Sequence, residues 1–106
     1  MAFFSKLKQI RDLRTQAKKL QDILGSERIT TESRDRRIKV TLDGNQQIQE
    51  LFIDPGLFGN PAALTGALRE TLNQSIREAQ KIIARKMRDL EERGEFKMPD
   101  LKSLGS

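Results

Sequence analysis

Arg77, Lys81, Arg85 and Arg88 are spaced by four, four and three residues, the interval that returns a helical chain to the same side after each turn. Cations lined up this way can follow a row of phosphates, each contact releasing a counterion condensed on the polyanion. A solvated helix face explains the same four residues if Arg85 pairs with Asp89 and Arg88 with Glu92, each at i+4, while Glu78 dilutes the field. A second basic set is less balanced: Lys6, Lys8, Arg11, Arg14, Lys18 and Lys19 face only Asp12 and Asp22, a surplus of four within residues 1–25. The third, Arg34, Arg36 and Arg37, surrounds Asp35, and loop clusters of this kind often serve only solubility.

Other chemistry is scarce. The chain has no Cys and no His, so disulfides, thiolate nucleophiles, the usual zinc ligands and the usual general base near neutral pH are all missing. Glu91 and Glu92 are adjacent and diverge by about 100° on a helix, which rules them out as one acid/base pair. There is no Walker loop, GxGxxG, GxSxG or EF-hand pattern. No catalytic residue, metal ligand or cofactor is expected, and the carboxylates read as surface charges.

With 106 residues, 36% hydrophobic and 33% charged, with five Phe and neither Trp nor Tyr, the chain supports one domain with a thin core. Burial between subunits is expected to supply what the protomer lacks. Lys and Arg number 20 against 15 Asp and Glu, a net charge of +5, which steers an anionic partner toward the surface. Charges recur from Lys6 onward and interrupt any signal-type apolar run, and no stretch approaches the roughly 20 apolar residues of a membrane span. A cytoplasmic, soluble chain is expected.

The elements that must carry the cations follow from period. Phe3, Ile10, Ala17 and Leu24 recur every seven residues, with Leu13 and Leu20 beside them and Leu7 widening the stripe. This predicts a first helix of about 33 Å, ended by Gly25 as C-terminal cap, whose seam wants a partner helix. The period then drops to two. Ile29, Thr31 and Ser33 alternate with Arg28, Thr30 and Glu32, and Ile38, Val40 and Leu42 with Arg37, Lys39 and Thr41, which predicts two half-buried strands.

Asp43-Gly44 reads as a type I′ hairpin turn with both central residues at positive φ. A third strand is expected from about Gln47 to Ile53. Its apolar run Leu51-Phe52-Ile53 implies either a bulge or burial on both sides. Asp54-Pro55-Gly56 ends the strand, and Leu57-Phe58 forms a short apolar turn or helical fragment. Asn60-Pro61 starts the main helix, expected to run about 50 Å to Arg93 with Gly94 as its stop. Its apolar positions are Leu64, Leu68, Leu72, Ile76, Ala79, Ile83, Met87 and Leu90, nearer an eleven-residue than a seven-residue repeat. The fold class is therefore α+β: N-terminal helix, three-stranded antiparallel sheet, long C-terminal helix. Residues 1–94 form the single domain and 95–106 a loosely ordered tail.

In this order the signals resemble the YbaB/EbfC family of bacterial nucleoid-associated proteins over nearly the whole chain. The match is carried by a Gln- and Lys-containing first helix from Lys8-Gln9 to Gln21, and by Ile38-Lys39-Val40-Thr41-Leu42-Asp43-Gly44 followed by Phe52-Ile53-Asp54-Pro55. A long helix containing Asn73, with Phe96-Lys97-Met98-Pro99 after it, completes the match. The resemblance implies a homodimer joined through the sheet region. Its helices would project as tweezer-like arms that bind duplex DNA in the nucleoid with little sequence preference. On this reading the contacts come from Lys8, Arg11, Arg14, Lys18 and Lys19 of the first helix and Arg77, Lys81, Arg85 and Arg88 of the long one. The competing expectation is a protein-interaction adaptor that uses the apolar seam of the first helix. A lesser one, from Phe3-Phe4 and the basic amphipathic start, is attachment to anionic lipid.

Overall fold

The computed structural model describes residues 2–95. The expected loose tail beyond Glu95, the Phe96–Pro99 motif and the side chains of Phe3 and Phe4 lie outside the described residues. The order is α1 (Ala2–Gly25), β1 (Ile29–Glu32), β2 (Ile38–Leu42), β3 (Ile48–Ile53), a short 3-10 turn (Pro55–Leu57) and α2 (Pro61–Glu92). The α+β expectation holds, with a three-stranded antiparallel sheet in the order β1-β2-β3.

The sheet forms because its inner residues alternate as a pleated strand requires. Ile29 and Thr31 of β1 and Ile38, Val40 and Leu42 of β2 are buried, in the register Ile29 to Leu42 and Thr31 to Val40. The apolar members of this set, with Leu57 and Ala79, make the core. Each fully buried Ile or Val contributes about 1.5–3 kcal/mol. Thr41, on the other face, is buried too, its hydroxyl 3.0 Å from that of its cross-strand partner Thr30.

The main helix lies across β1 and β2. Asn60 caps it by accepting a hydrogen bond from the amide of Ala63 at 3.2 Å, and Pro61 occupies the first turn. At its far end Gly94 is left-handed (φ 72), its amide donating to Glu91 while the amide of Glu95 donates to Leu90. This is the paired 5→2 and 6→1 closure that a glycine after the last turn permits.

The expected apolar stripe of α2 holds at Leu64, Leu68, Leu72 and Ile83, which pack against the core, and at buried Ala79 and Leu90, but not at Ile76. Ile76 is 41% exposed, whereas Thr71, Ser75 and Ala79 are buried, with half-buried Ala67 one turn earlier. Small residues every fourth position let α2 sit close to the sheet, and the hydroxyls of Thr71 and Ser75 donate to the helix's own carbonyls of Ala67 and Leu72. They therefore reach the core without an unmet donor.

Strand β3 is the second correction. Its irregularity falls opposite Thr41 and Leu42, which pair with Glu50 and Ile48, so Gln49 is the extra residue. Leu51 and Phe52 are neither bulged nor buried in the protomer; they are 47% and 52% exposed, because β3 is an edge strand that α2 does not cover.

Candidate nucleic-acid interface

Among the described residues, the hydrogen bonds and the ion pair that tie α1 to the rest of the chain fall at or just beyond its last turns. Two corrections meet there. The helix ends at Gly25 as expected, but neither Gly25 nor Gly44 is left-handed; the positive angle of this junction falls instead at Gln46 (φ 61). The expected two-residue turn is a three-residue loop of Gly44, Asn45 and Gln46, closed by Asp43 N to Gln47 O at 3.0 Å and Gln46 N to Asp43 O at 3.1 Å.

Asp43 organises this loop. One carboxylate oxygen accepts from the amides of Asn45 and Gln47 at 2.8 and 3.0 Å, and the other from the side chain of Gln49 at 2.8 Å. The Gln47 amide, with smaller help from Gln49, Asn45 and the charge of Arg28, holds the Asp43 carboxyl below its usual pKa against the opposing effect of burial.

The loop in turn serves the helix end. Gly44 N donates to Leu24 O at 2.8 Å, and Asn45 Nδ2 to Gln21 O at 3.0 Å. Ser26 Oγ donates to Ile23 O at 2.8 Å and Arg28 Nη1 to Gly25 O at 2.9 Å. The carbonyls that a helix end leaves free are thereby taken by the hairpin and the following residues, which is why no left-handed glycine is needed at Gly25. An ion pair of 3.2 Å between Lys86 and Glu27 ties the same junction to α2. From there α1, about 36 Å long at 1.5 Å per residue, leads away from the sheet: the molecule measures 67 × 25 × 20 Å and its radius of gyration is 19.3 Å. A compact domain of this size has about 13 Å.

Each of Lys8, Arg11, Arg14, Lys18 and Lys19 is exposed on α1, and none has a carboxylate within 4 Å among the described residues. Leu13, Gln16, Leu20, Ile23 and Leu24 are the more covered residues of the helix. At about 100° per residue the five cations fall on the half of the helix away from that line. Leu7 and Ile10, in the expected seam, are 44% and 49% exposed.

On α2, Arg77, Lys81, Arg85 and Arg88 are all exposed. Among the described residues the pairings of the solvated-face alternative, Arg85 with Asp89 and Arg88 with Glu92, are not formed; instead Lys81 approaches Glu78 at 3.6 Å, an i,i+3 contact with both groups partly in water. Such a pair is worth little in solvent. Arg77 lies beside the β1–β2 turn, lining an open cleft with Arg34, Asp35 and Gln74. The structure therefore distributes the nine residues over two surfaces, one on α1 and one on α2. What sequence reasoning missed is the anchor of the first surface, Asp43, Gly44 and Asn45; an Asp-Gly-Asn run signals a turn but not a helix to be capped.

The sequence pattern of the YbaB/EbfC DNA-binding family matches residues 2–94. The chain belongs to that family. The match spans both helices and the whole sheet, so the two cationic surfaces and the loop joining them lie inside the YbaB/EbfC region. Among solved structures, the fold is similar to the crystal structure of an uncharacterized protein, HP0035, from Helicobacter pylori. The TM-score is 0.61 with 16% identity over 77% of this chain and 98% of that one. At that identity the likeness is one of fold. No curated protein matches the chain. Among the described residues no helix is long and apolar enough to cross a membrane.

Proposed function

We propose that this YbaB/EbfC protein is a non-catalytic, cofactor-free component of the nucleoid that binds duplex DNA as a homodimer with little sequence preference. The contacts are made by Lys8, Arg11, Arg14, Lys18 and Lys19 of α1 and Arg77, Lys81, Arg85 and Arg88 of α2. The observation that carries this reading is the five unpaired cations on one half of a helix that leads away from the sheet. Cations on such an arm reach phosphates without displacing any internal partner, and phosphate contacts carry no sequence information.

The edge strand supports the dimer. Leu51 lies beside buried Val40 and Ile48 beside buried Leu42, so both continue the apolar inner face of the sheet beyond the cover of α2. Phe52 adds apolar surface on the other face, and the unpaired backbone of β3 offers a ladder edge. A second copy seated here buries what the protomer leaves bare and holds two α1 arms on one particle.

The test is anisotropy with a fluorescent duplex at two salt concentrations. Affinity falls steeply as salt rises, and reversing the five α1 charges together abolishes binding. Unchanged binding after that reversal would refute the site. The exposed Leu7 and Ile10 favour one competing reading, an adaptor that holds another helix through this seam. Partners retained after nuclease treatment favour the adaptor, whereas partners released with the DNA favour the proposal.

A further inference from the structure

Arg36, in the turn between β1 and β2, holds φ at 62°, a left-handed conformation that glycine adopts freely and a side-chain-bearing residue adopts at a cost of about 1 kcal/mol. Its amide donates to Ser33 O at 2.9 Å, which closes the turn and fixes that angle. The one carboxylate of the turn is directed back onto the loop itself. Asp35 accepts from Ser33 Oγ at 2.7 Å and from the Arg37 amide at 3.2 Å, and the Arg37 guanidinium stands 3.8 Å from it. Arg37 is thus answered within the turn. Arg34 and Arg36 are exposed and have no carboxylate within 4 Å among the described residues.

We propose that this turn is a further phosphate contact for duplex DNA, made by Arg34 and Arg36, which continues the cationic line of α2 onto the sheet. The proposal rests on the DNA-binding reading above. Continuity comes from Arg34 and Arg77, which line one open cleft, so the turn joins α2 where its basic series begins. Glu32, Glu70 and Glu78 line the same cleft; the contact is therefore made by the exposed guanidiniums and not inside it. A cation placed where the backbone favours glycine is a structural expense without return inside the protomer, and strain of that kind points to a role outside it.

The experiment uses the full chain and a fluorescent duplex of mixed sequence, titrated at several salt concentrations. Arg34→Ala with Arg36→Gly is expected to lower affinity about tenfold near physiological salt and to reduce the salt slope by about two, one for each phosphate no longer engaged. Arg36→Gly alone keeps or raises the unfolding temperature while weakening binding, since it relieves the backbone; Arg36→Lys restores the slope. Full wild-type affinity in the double variant, when reversal of the α1 charges abolishes binding, overturns this proposal and leaves the DNA-binding reading standing. If neither variant changes binding, the reading beneath it fails as well. Should Arg36→Gly lower the unfolding temperature, Arg34→Ala decides alone, because Arg34 does not hold a left-handed φ: a smaller slope supports the contact and an unchanged one overturns it.

Discussion

The amide of Gly44 lies 2.8 Å from the carbonyl of Leu24, so the loop between β2 and β3 closes the last turn of α1. A Cβ added at Gly44 would stand 2.6 Å from that carbonyl oxygen and 2.9 Å from Leu24 Cα, both of them backbone atoms that cannot step aside. Gly44→Ala must therefore push the helix away from the sheet. The expected loss is about 2–3 kcal/mol in urea unfolding, together with a larger radius of gyration by small-angle scattering. A wild-type midpoint would show that the arm is not seated by this contact.

Asp43 gives the same junction a dependence on pH. The loop amides stabilise its ionised form, so the folded protein releases this proton more readily than the unfolded chain. The stability it contributes is present above the unfolded value of about 3.9 and is lost as pH falls through the lower folded value. A plot of urea midpoint against pH should drop below about pH 4. In Asp43→Asn that limb flattens and the midpoint at neutral pH is lower by the equivalent of about 2 kcal/mol. An acid limb equally steep in the variant would assign the effect to other carboxylates.

The elements were legible because their periods differ. Ile38-Lys39-Val40-Thr41-Leu42 can only alternate as a strand, and Asn60-Pro61 with Gly94 brackets α2 by capping chemistry that acts locally. What was not legible depends on distant contacts. The Gly44 loop gives its amide to the carbonyl of Leu24, and Ile76 is exposed while Thr71, Ser75 and Ala79 are buried. Hydropathy cannot register either fact. The spacing of Arg77, Lys81, Arg85 and Arg88 made their exposure on α2 legible but not their pairing: Lys81 turns to Glu78 while Arg85 and Arg88 leave Asp89 and Glu92 alone.

The bare edge of β3 is where the proposed dimer is tested. Leu51 is 47% exposed beside fully buried Val40, so Leu51→Asp leaves the protomer core intact and puts two charges, one from each copy, into a shared interface. Sedimentation equilibrium should show the dimer weakened at least about a hundredfold, with little change in far-UV circular dichroism. A variant that remains dimeric at wild-type strength would move the interface away from this face.

The small-residue line of α2 makes the last prediction, and it turns on sign. Ser75 is fully buried, and its hydroxyl donates to Leu72 of the same helix at 2.8 Å and to nothing in the sheet. Removing the hydroxyl therefore strands no partner in β1 or β2. Ser75→Ala should be neutral or stabilising by about 0.5 kcal/mol, since alanine is the better helix former. Ser75→Leu adds volume where α2 meets the strands and should cost about 1–3 kcal/mol. Denaturant midpoints of the two variants measure both. If leucine were tolerated as well as alanine, close seating of α2 would not be what holds the helix to the sheet, and the exposure of Ile76 would need another cause.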